Sequence, residues 1–340
     1  MAYSVIKKPS DYFNTVTYTG NNTTNAITGV GFQPDWTWIK PRNGTDGHVL
    51  IDSVRGVLKR LRTEGTNAED TLNNSLTSFD TDGFTLGSSG EVNSSSYNLV
   101  SWNWLASNTT ASNTDGSITS TVSANTTSGF SIVSYTGNET AGATVGHGLS
   151  STPKMIILKN RNSTDDWVVY HESLGNTQSI RLNLTNASAT TPASFNNTSP
   201  TSSVFTLGDW TAVNGSSMIA YCFAEVKGFS KFGSYVGNGN ADGTFVYTGF
   251  KPAFVLIKNI TTAGEHWHMA DNKRDTDNAV SKWLLANANG AEFTIDICDF
   301  VSNGFKIRTG SQGTNQSGAS FIYMAFADEP LVGDNPATAR

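Results

Sequence analysis

The residues best suited to chemistry by type and spacing are two histidines, His266 and His268. In a strand they would share one face, where Glu265 or Asp271 could supply a third ligand to a metal ion. No cysteine or further histidine lies nearby in the sequence to complete such a site. We therefore interpret both histidines as exposed residues of a strand, and we expect neither a metal nor a cofactor.

Two pairs of neighbouring carboxylates suggest other chemistry. Asp80 and Asp82 precede a glycine, but the downstream glutamate of a calcium loop is missing, so we interpret them as a turn. Asp165 and Asp166 could serve a glycosidase only if a partner carboxylate lay about 5 to 10 Å away. Since the sequence also has no nucleophile elbow and no phosphate-binding loop, it predicts a protein without enzymatic activity.

Three lysines, Lys40, Lys159 and Lys258, occupy one repeated position and could bind a ligand as cations. The alternative is structural, with each lysine at the end of a central strand and paired with a carboxylate such as Asp52 or Asp271. We favour the structural role, because a functional site need not occur three times.

The eight tryptophans are the feature most compatible with ligand binding. Most of them fall on the repeated pattern described next and are best explained as packing. Trp210 and Trp283 lie outside that pattern. They are therefore the two candidates for stacking on the sugar rings of a glycan.

An internal repeat indicates which elements position these residues. A Tyr-x-Gly run, a proline and a lysine occur in the same order three times, and the lysine always follows the proline by six residues. The proline–lysine pairs are Pro34 and Lys40, Pro153 and Lys159, and Pro252 and Lys258. The period is on the order of 100 residues, which is the size of one small domain. The sequence thus predicts three tandem copies of one domain.

Short apolar runs bounded by Pro, Asn and Gly predict that each copy is made of strands. We expect an all-β protein of three antiparallel β-sandwich or jelly-roll repeats. The stretch Asp52–Glu69 has apolar residues at helical spacing, and a helix and a strand with a loop both remain open there. The predicted units are an N-terminal arm with the first repeat over residues 1–106, a Ser/Thr/Asn-rich linker or surface loop over 107–128, the second repeat over 129–227, the third over 228–330 and a C-terminal tail over 331–340.

Composition limits the partners. The net charge of −6 leaves no basic stripe for phosphates, so we expect no nucleic-acid binding. No apolar run is long enough for a membrane span, and the first residues lack the apolar centre of a signal peptide. The two cysteines, Cys222 and Cys298, lie in apolar runs and are expected to be buried thiols.

Several runs of residues resemble a family of uncharacterised virion proteins of marine tailed bacteriophages. They are Lys8–Phe13, Gly31–Trp36, Asp52–Gly56, Ser78–Phe84, Trp102–Trp104 and Pro336–Arg340. The resemblance covers nearly the whole chain and implies a lectin-like β-sandwich fold. It implies no catalytic or binding residues, because the family has no assigned activity.

The resemblance leads us to expect a structural protein of the virion, assembled in the bacterial cytoplasm. One hypothesis is a tail-fibre or spike-type appendage that binds host-surface glycan. The other is a capsid decoration or head-fibre protein that adheres to the shell through Met1–Phe13 or the C-terminal tail. A secreted bacterial adhesin is a remote alternative, disfavoured by the missing signal peptide. The expected partners are other capsid or tail proteins and further copies of the chain, with a trimer favoured.

Overall fold

The computed structural model describes residues 4–330 and is built from antiparallel sheets. Helical structure in these residues is limited to turns of three or four residues, including the 3₁₀ turns Pro9–Asp11 and Glu172–Leu174. No helix in this part of the chain is long and apolar enough to cross a membrane. The prediction of an all-β protein is confirmed, since runs of aromatic and β-branched residues favour pleated strands.

We divide the described strands into three segments. The first segment, residues 13–104, contains β1 (Phe13–Thr19), β2 (Asn25–Thr28), β3 (Trp36–Pro41), β4 (Val49–Asp52), β5 (Lys59–Arg60), β6 (Asp70–Thr71), β7 (Leu76–Asp80), β8 (Gly83–Leu86) and β9 (Asn98–Trp104). A short helix, α1 (Gly90–Asn93), precedes β9.

The second segment covers residues 111–224. Its strands are β10 (Ala111–Asn113), β11 (Ser120–Asn125), β12 (Phe130–Tyr135), β13 (Thr144–Gly146), β14 (Pro153–Asn160), β15 (Val168–His171), β16 (Gln178–Arg181), β17 (Ala189–Thr190), β18 (Val204–Thr206) and β19 (Met218–Ala224). The helices α2 (Pro192–Phe195) and α3 (Thr211–Asn214) lie near its end.

The third segment covers residues 230–330. Its strands are β20 (Ser230–Val236), β21 (Phe245–Tyr247), β22 (Phe250–Asn259), β23 (Trp267–Asp271), β24 (Val280–Leu285), β25 (Phe293–Val301), β26 (Gly304–Ile307) and β27 (Ser320–Pro330). The helix α4 (Gln312–Asn315) precedes β27.

One order of strands occurs in all three segments. It is β1-β9-β3-β4 in the first, β12-β19-β14-β15 in the second and β20-β27-β22-β23 in the third. The last strand of each segment therefore lies between the first strand named in this order and the central strand. A second antiparallel pair also recurs, as β2 with β8, β13 with β18, and β21 with β26.

The three segments share one aromatic core. Trp36 of the first segment stacks on Tyr221 of the second, with ring centroids 4.3 Å apart. Phe13 stacks on Phe326 of the third segment at 4.9 Å, and Phe326 also meets Phe223 of the second at 6.1 Å. Each segment has a further apolar cluster of its own on the other side of its sheet. Each central sheet is therefore buried on both faces, which explains its continuous apolar sequence.

The run from residue 107 to 128 is not a linker, and the structure corrects that prediction. Its strands β10 and β11 extend the second segment's sheet beside β12. Ile118 also forms a parallel bridge with Val145 of β13. Ser120 Oγ of β11 likewise donates to the Gly146 carbonyl of β13 at 2.8 Å. The polar composition thus belongs to two strands, of which β10 is mostly exposed and β11 is mostly buried or half-buried.

The stretch Asp52–Glu69 forms the end of β4, turns and the short strand β5, without a helix. The Asp52 carboxylate accepts the N–H groups of Val54 at 3.1 Å and Arg55 at 2.8 Å, which closes a turn immediately after β4. Gly56 and Leu58 then adopt positive φ, which a helix does not allow. The predicted C-terminal tail, 331–340, and residues 1–3 of the arm lie outside the described residues.

Candidate functional site

The repeated lysines lie at the ends of the central strands and are fully buried. Their ammonium groups bind backbone carbonyls. Lys159 Nζ donates to the carbonyls of Asn160, Ser163 and Thr66 at 2.8, 3.0 and 3.2 Å, and Lys40 Nζ to those of Pro41 and Gly44 at 2.9 and 3.1 Å. Lys258 Nζ donates to the carbonyls of Glu265 and Thr185. The predicted pairing with Asp52 or Asp271 is wrong, because those carboxylates bind arginines.

We expect Lys159→Met to lower the free energy of unfolding by about 1 to 3 kcal/mol, because three buried carbonyls lose a donor. Burial lowers the pKa of Lys159 to about 8. Between that pH and the ordinary lysine value of about 10.4, the unfolded chain binds a proton that the folded chain does not. Stability from this group therefore rises with pH. Urea titrations at pH 7.5 and 9.5 should show a wider gap between wild type and variant at pH 9.5, and an unchanged gap would contradict this.

The repeated prolines are buried at or just before the central strands. Pro34 precedes β3, Pro153 opens β14 and Pro252 lies inside β22. The register beside Pro153 and Pro252 is shifted by a bulge. A bulge is one of the few places in a sheet that tolerate the missing N–H of proline, so these positions are structural.

A ring of side-chain contacts joins the three segments. The residue eight or nine positions after each repeated lysine binds a carbonyl of a neighbouring segment. The bonds run from Trp167 Nε1 to the Arg62 carbonyl at 2.8 Å, from Trp267 Nε1 to the Arg181 carbonyl at 2.8 Å and from His48 Nε2 to the Leu285 carbonyl at 3.0 Å. His48 Nδ1 accepts from Trp38, so Nε2 carries the proton, and burial lowers the His48 pKa to about 3. The second segment thus binds the first, the third binds the second, and the first binds the third.

Two bidentate ion pairs reinforce this ring. Arg161 binds both carboxylate oxygens of Glu69 at 2.9 Å, and Arg42 binds those of Glu292 at 3.0 and 2.9 Å. Burial would raise the pKa of Glu69, but the hydrogen bonds and charges of Arg161 and Arg55 outweigh it, and the pKa is lowered. These charged groups act in packing between segments, where a planar guanidinium matches a carboxylate well.

The two histidines do not form a metal site with their neighbours. Within residues 4–330, no three His, Cys, Asp or Glu side chains are grouped to hold a metal ion. His268 is 9% exposed and packs edge-on against Trp283, so the prediction that it is exposed is wrong. Burial lowers the pKa of His268 to about 3. His266 contacts Asn287 instead.

The carboxylate pairs are engaged in local structure. Asp82 accepts the N–H groups of Gly29 at 3.0 Å and Gly31 at 2.7 Å, and these bonds lower its pKa. Asp80 accepts the hydroxyls of Ser78 and Thr85, which fits the predicted turn. The two cysteines are buried free thiols, as predicted.

The two candidate tryptophans have different surroundings. Trp283 is fully buried, and its Nε1 donates to the Val280 carbonyl at 3.2 Å. The expectation that it presents a face to a ligand is corrected, because β24 directs it into the third segment's own core. Trp210 is half-buried at the start of α3.

Trp210 lies in a cluster of polar groups, which we call the Trp210 cluster: Trp210, Arg181, Asp166 and Asn183. The Arg181 guanidinium covers the indole with its central carbon 4.4 Å from the ring centroid. Asp166 lies 3.7 Å from Arg181 Nε and accepts the Asn183 amide at 2.8 Å. An aromatic surface beside a carboxylate, a guanidinium and an amide has the donors and acceptors that sugar hydroxyls require.

Sequence reasoning missed a second aromatic surface. Phe245 and Tyr247 on β21 are 45% and 53% exposed, whereas Val246 between them is buried. Their alternation with Val246 in the sequence could have indicated this surface. The equivalent positions are Ala26 and Thr28 in the first segment and Thr144 and Gly146 in the second, so neither other segment has aromatic residues there. The strand β21 is only three residues long, so the sequence pattern did not distinguish it from the surrounding turn residues.

A cavity of about 550 Å³ lies where the two ends of the described chain meet. Lys8, Pro9 and Phe13 line one side, and Asp328 and Pro330 line the other. It is separate from both aromatic surfaces.

A family model described as a domain of unknown function, DUF7483, matches residues 8–330. Neither the curated proteins nor the solved structures include a match to this chain. Because the matched region spans nearly the whole sequence, the chain belongs to the DUF7483 family of unknown function.

Proposed function

We propose that this chain is a non-enzymatic structural protein of a bacteriophage particle, displayed on the surface in a tail-fibre or spike-type appendage. In this proposal its segments are tandem lectin-like β-sandwich repeats. The common strand order and the ring of equivalent contacts support the repeats. The resemblance to phage virion proteins supports a place on the phage particle. We expect the chain to assemble in the bacterial cytoplasm, together with other virion proteins and as a homotrimer.

The observation that carries a glycan-binding role is the placement of Trp210. The residue at the start of the equivalent helix is Ser89 before α1 and Ser311 before α4. All three helices end in a buried asparagine, so the helix itself does not require the indole. A large half-exposed aromatic side chain at a position where serine suffices points to a role outside folding.

The chemistry of the Trp210 cluster fits a saccharide. The exposed part of the indole offers an apolar surface for the C–H face of a sugar ring. Asp166 can accept from sugar hydroxyls and Arg181 can donate to them, while the buried Asn183 holds Asp166 in place. Because the other segments lack this cluster, we expect one glycan site in each chain.

Trp210→Ser tests this role with the residue found at both equivalent positions. On an array of bacterial surface polysaccharides, the wild-type protein should bind a subset that free sugar competes away. We expect the variant to bind at least about tenfold more weakly, because stacking and the cluster geometry are lost. Because the indole also packs against the second segment's own apolar cluster, the urea midpoint of the variant is measured as well, and binding is compared under conditions where both proteins are folded.

Tyr247→Ala is the matched control, since it removes an exposed aromatic side chain remote in sequence from the Trp210 cluster. It should leave polysaccharide binding unchanged. Equal binding by wild type and Trp210→Ser would refute the site, and the absence of any bound polysaccharide would refute the glycan-binding role.

A capsid decoration or head-fibre protein is the second candidate. It is favoured by the cavity that brings Lys8 and Pro9 beside Asp328 and Pro330, because one surface could then anchor both ends of the described chain. Fluorescently labelled protein mixed with capsids that lack it distinguishes the two. Tight binding to capsids together with no binding to host cells would refute the tail-appendage assignment and support a capsid decoration protein.

A further inference from the structure

The second segment shows how an extended stretch of chain covers the outer edge of β13. Ile118 bridges Val145 in the parallel direction, and its N–H donates to the Thr144 carbonyl at 2.9 Å. Ser120 Oγ donates to the next outward carbonyl, that of Gly146, at 2.8 Å. The stretch from Ser117 to Ser120 thus acts as an added strand beside β13.

β21 occupies the corresponding place in the third segment. Val246 faces Phe305 of β26, as Val145 faces Phe205 of β18. β21 is the last strand in its sheet order, and among residues 4–330 no strand pairs with its outer side. The connection Glu225–Phe229 between the second and third segments is too short to supply a cover of the kind that residues 107–128 supply.

The side chains at this edge are also unlike those of an edge that stays open. Natural edge strands carry lysine, proline or charged residues that discourage pairing. β21 carries Phe245 and Tyr247 instead, and both are half-exposed. The open edge of β2 in the first segment carries Ala26 and Thr28 at these positions. The aromatic pair is therefore specific to the third segment.

The charges near β21 already have partners. Lys306, opposite Phe245, binds Asp242 at 2.7 Å, and Arg308 binds Asp299 at 2.7 Å. Beside Tyr247 lie Glu225, Lys227 and Lys231, of which Lys231 binds Glu225 at 2.7 Å. The stretch that covers β13, Ser117–Ser120, carries no charge, which favours an uncharged occupant here as well. We infer that the outer edge of β21 binds an extended, uncharged peptide segment of a partner protein, which adds as a parallel strand with an aliphatic residue beside Val246, on the face opposite to Phe245 and Tyr247.

A peptide with the sequence of residues 116–122 and capped ends is the probe, because it is uncharged and contains the stretch that covers β13. It is added in millimolar excess to the full-length protein, and amide hydrogen exchange is followed at residues 244–248. We expect exchange there to slow by about tenfold at saturation. A peptide with Ile118→Pro, which lacks the donated N–H, should give no protection.

The double variant Phe245→Ala/Tyr247→Thr gives this edge the residues of β2, a strand that forms in the same chain. It should fold and lose the protection at residues 244–248. Absence of protection in the wild type, or equal protection in the double variant, would overturn the inference. Binding of a saccharide that the double variant loses and Trp210→Ser retains would also overturn it, since the edge would then be a glycan site.

Discussion

Trp36→Ala is expected to lower the free energy of unfolding by about 3 to 5 kcal/mol, the range for removing a large aromatic side chain from a packed core. Trp36 is fully buried and stacks on Tyr221 with centroids 4.3 Å apart. Trp104, directly opposite Trp36 on the paired strand β9, lies at 4.4 Å, and Phe130 at 5.9 Å. The cavity left by alanine would therefore open between the first and second segments.

The shared core gives this variant a second signature. Because each segment buries one face of its central sheet against the others, we expect a single unfolding transition, shifted as a whole by the substitution. Urea unfolding followed by far-UV and near-UV circular dichroism checks this. Two separated transitions, with only one moved by Trp36→Ala, would mean that the segments fold independently.

Trp36→Phe is the matched control. The Trp36 Nε1–H has no hydrogen-bond partner in the structure, although it is buried. Phenylalanine keeps an aromatic ring and removes this unsatisfied donor. We therefore expect a smaller loss than for Trp36→Ala, because phenylalanine leaves a smaller cavity.

Arg55→Leu is expected to cost about 3 to 5 kcal/mol, because it leaves the Asp52 carboxylate buried without its counter-charge. Arg55 and Asp52 are fully enclosed, and Arg55 Nε lies 2.5 Å from Asp52 Oδ2. The guanidinium also donates to the carbonyls of Leu50 and Lys59 at 3.0 and 2.9 Å. Tyr221 of the second segment donates to the same carboxylate at 2.7 Å, so the loss would also weaken the junction.

The second segment has a pair of residues other than Asp and Arg at the equivalent positions. Where the first and third segments have Asp52 with Arg55 and Asp271 with Arg274, the second has His171 with Leu174. His171 Nε2 contacts the Tyr323 carbonyl of the third segment at 3.2 Å. The pair Asp52→His/Arg55→Leu should therefore be more stable than Arg55→Leu alone.

Urea denaturation of wild type, Asp52→His, Arg55→Leu and the double variant forms a double-mutant cycle. We expect a coupling energy of about 1 to 3 kcal/mol in favour of the intact or the fully replaced pair. Additive losses would show that Asp52 and Arg55 stabilise the junction independently of each other.

Local patterns in the sequence determined which residues form strands and which are buried in them. The all-β class, the central strands that end at Lys40, Lys159 and Lys258, and the buried Cys222 and Cys298 follow from short-range periodicity and flanking turn residues. The repeated spacing from proline to lysine likewise marked the three central strands. Each of these features depends on residues that are close in the chain.

The tertiary structure decided which side chains meet and which remain exposed. The lysines bind carbonyls, Trp283 is buried, residues 107–128 add strands to a sheet, and the most exposed aromatic residues between 4 and 330 are Phe245 and Tyr247. These outcomes depend on contacts such as Trp36 with Tyr221, between residues widely separated in the chain. Local periodicity carries no information on such pairs, since the packing of three sheets on one core fixes them only when the whole chain has folded.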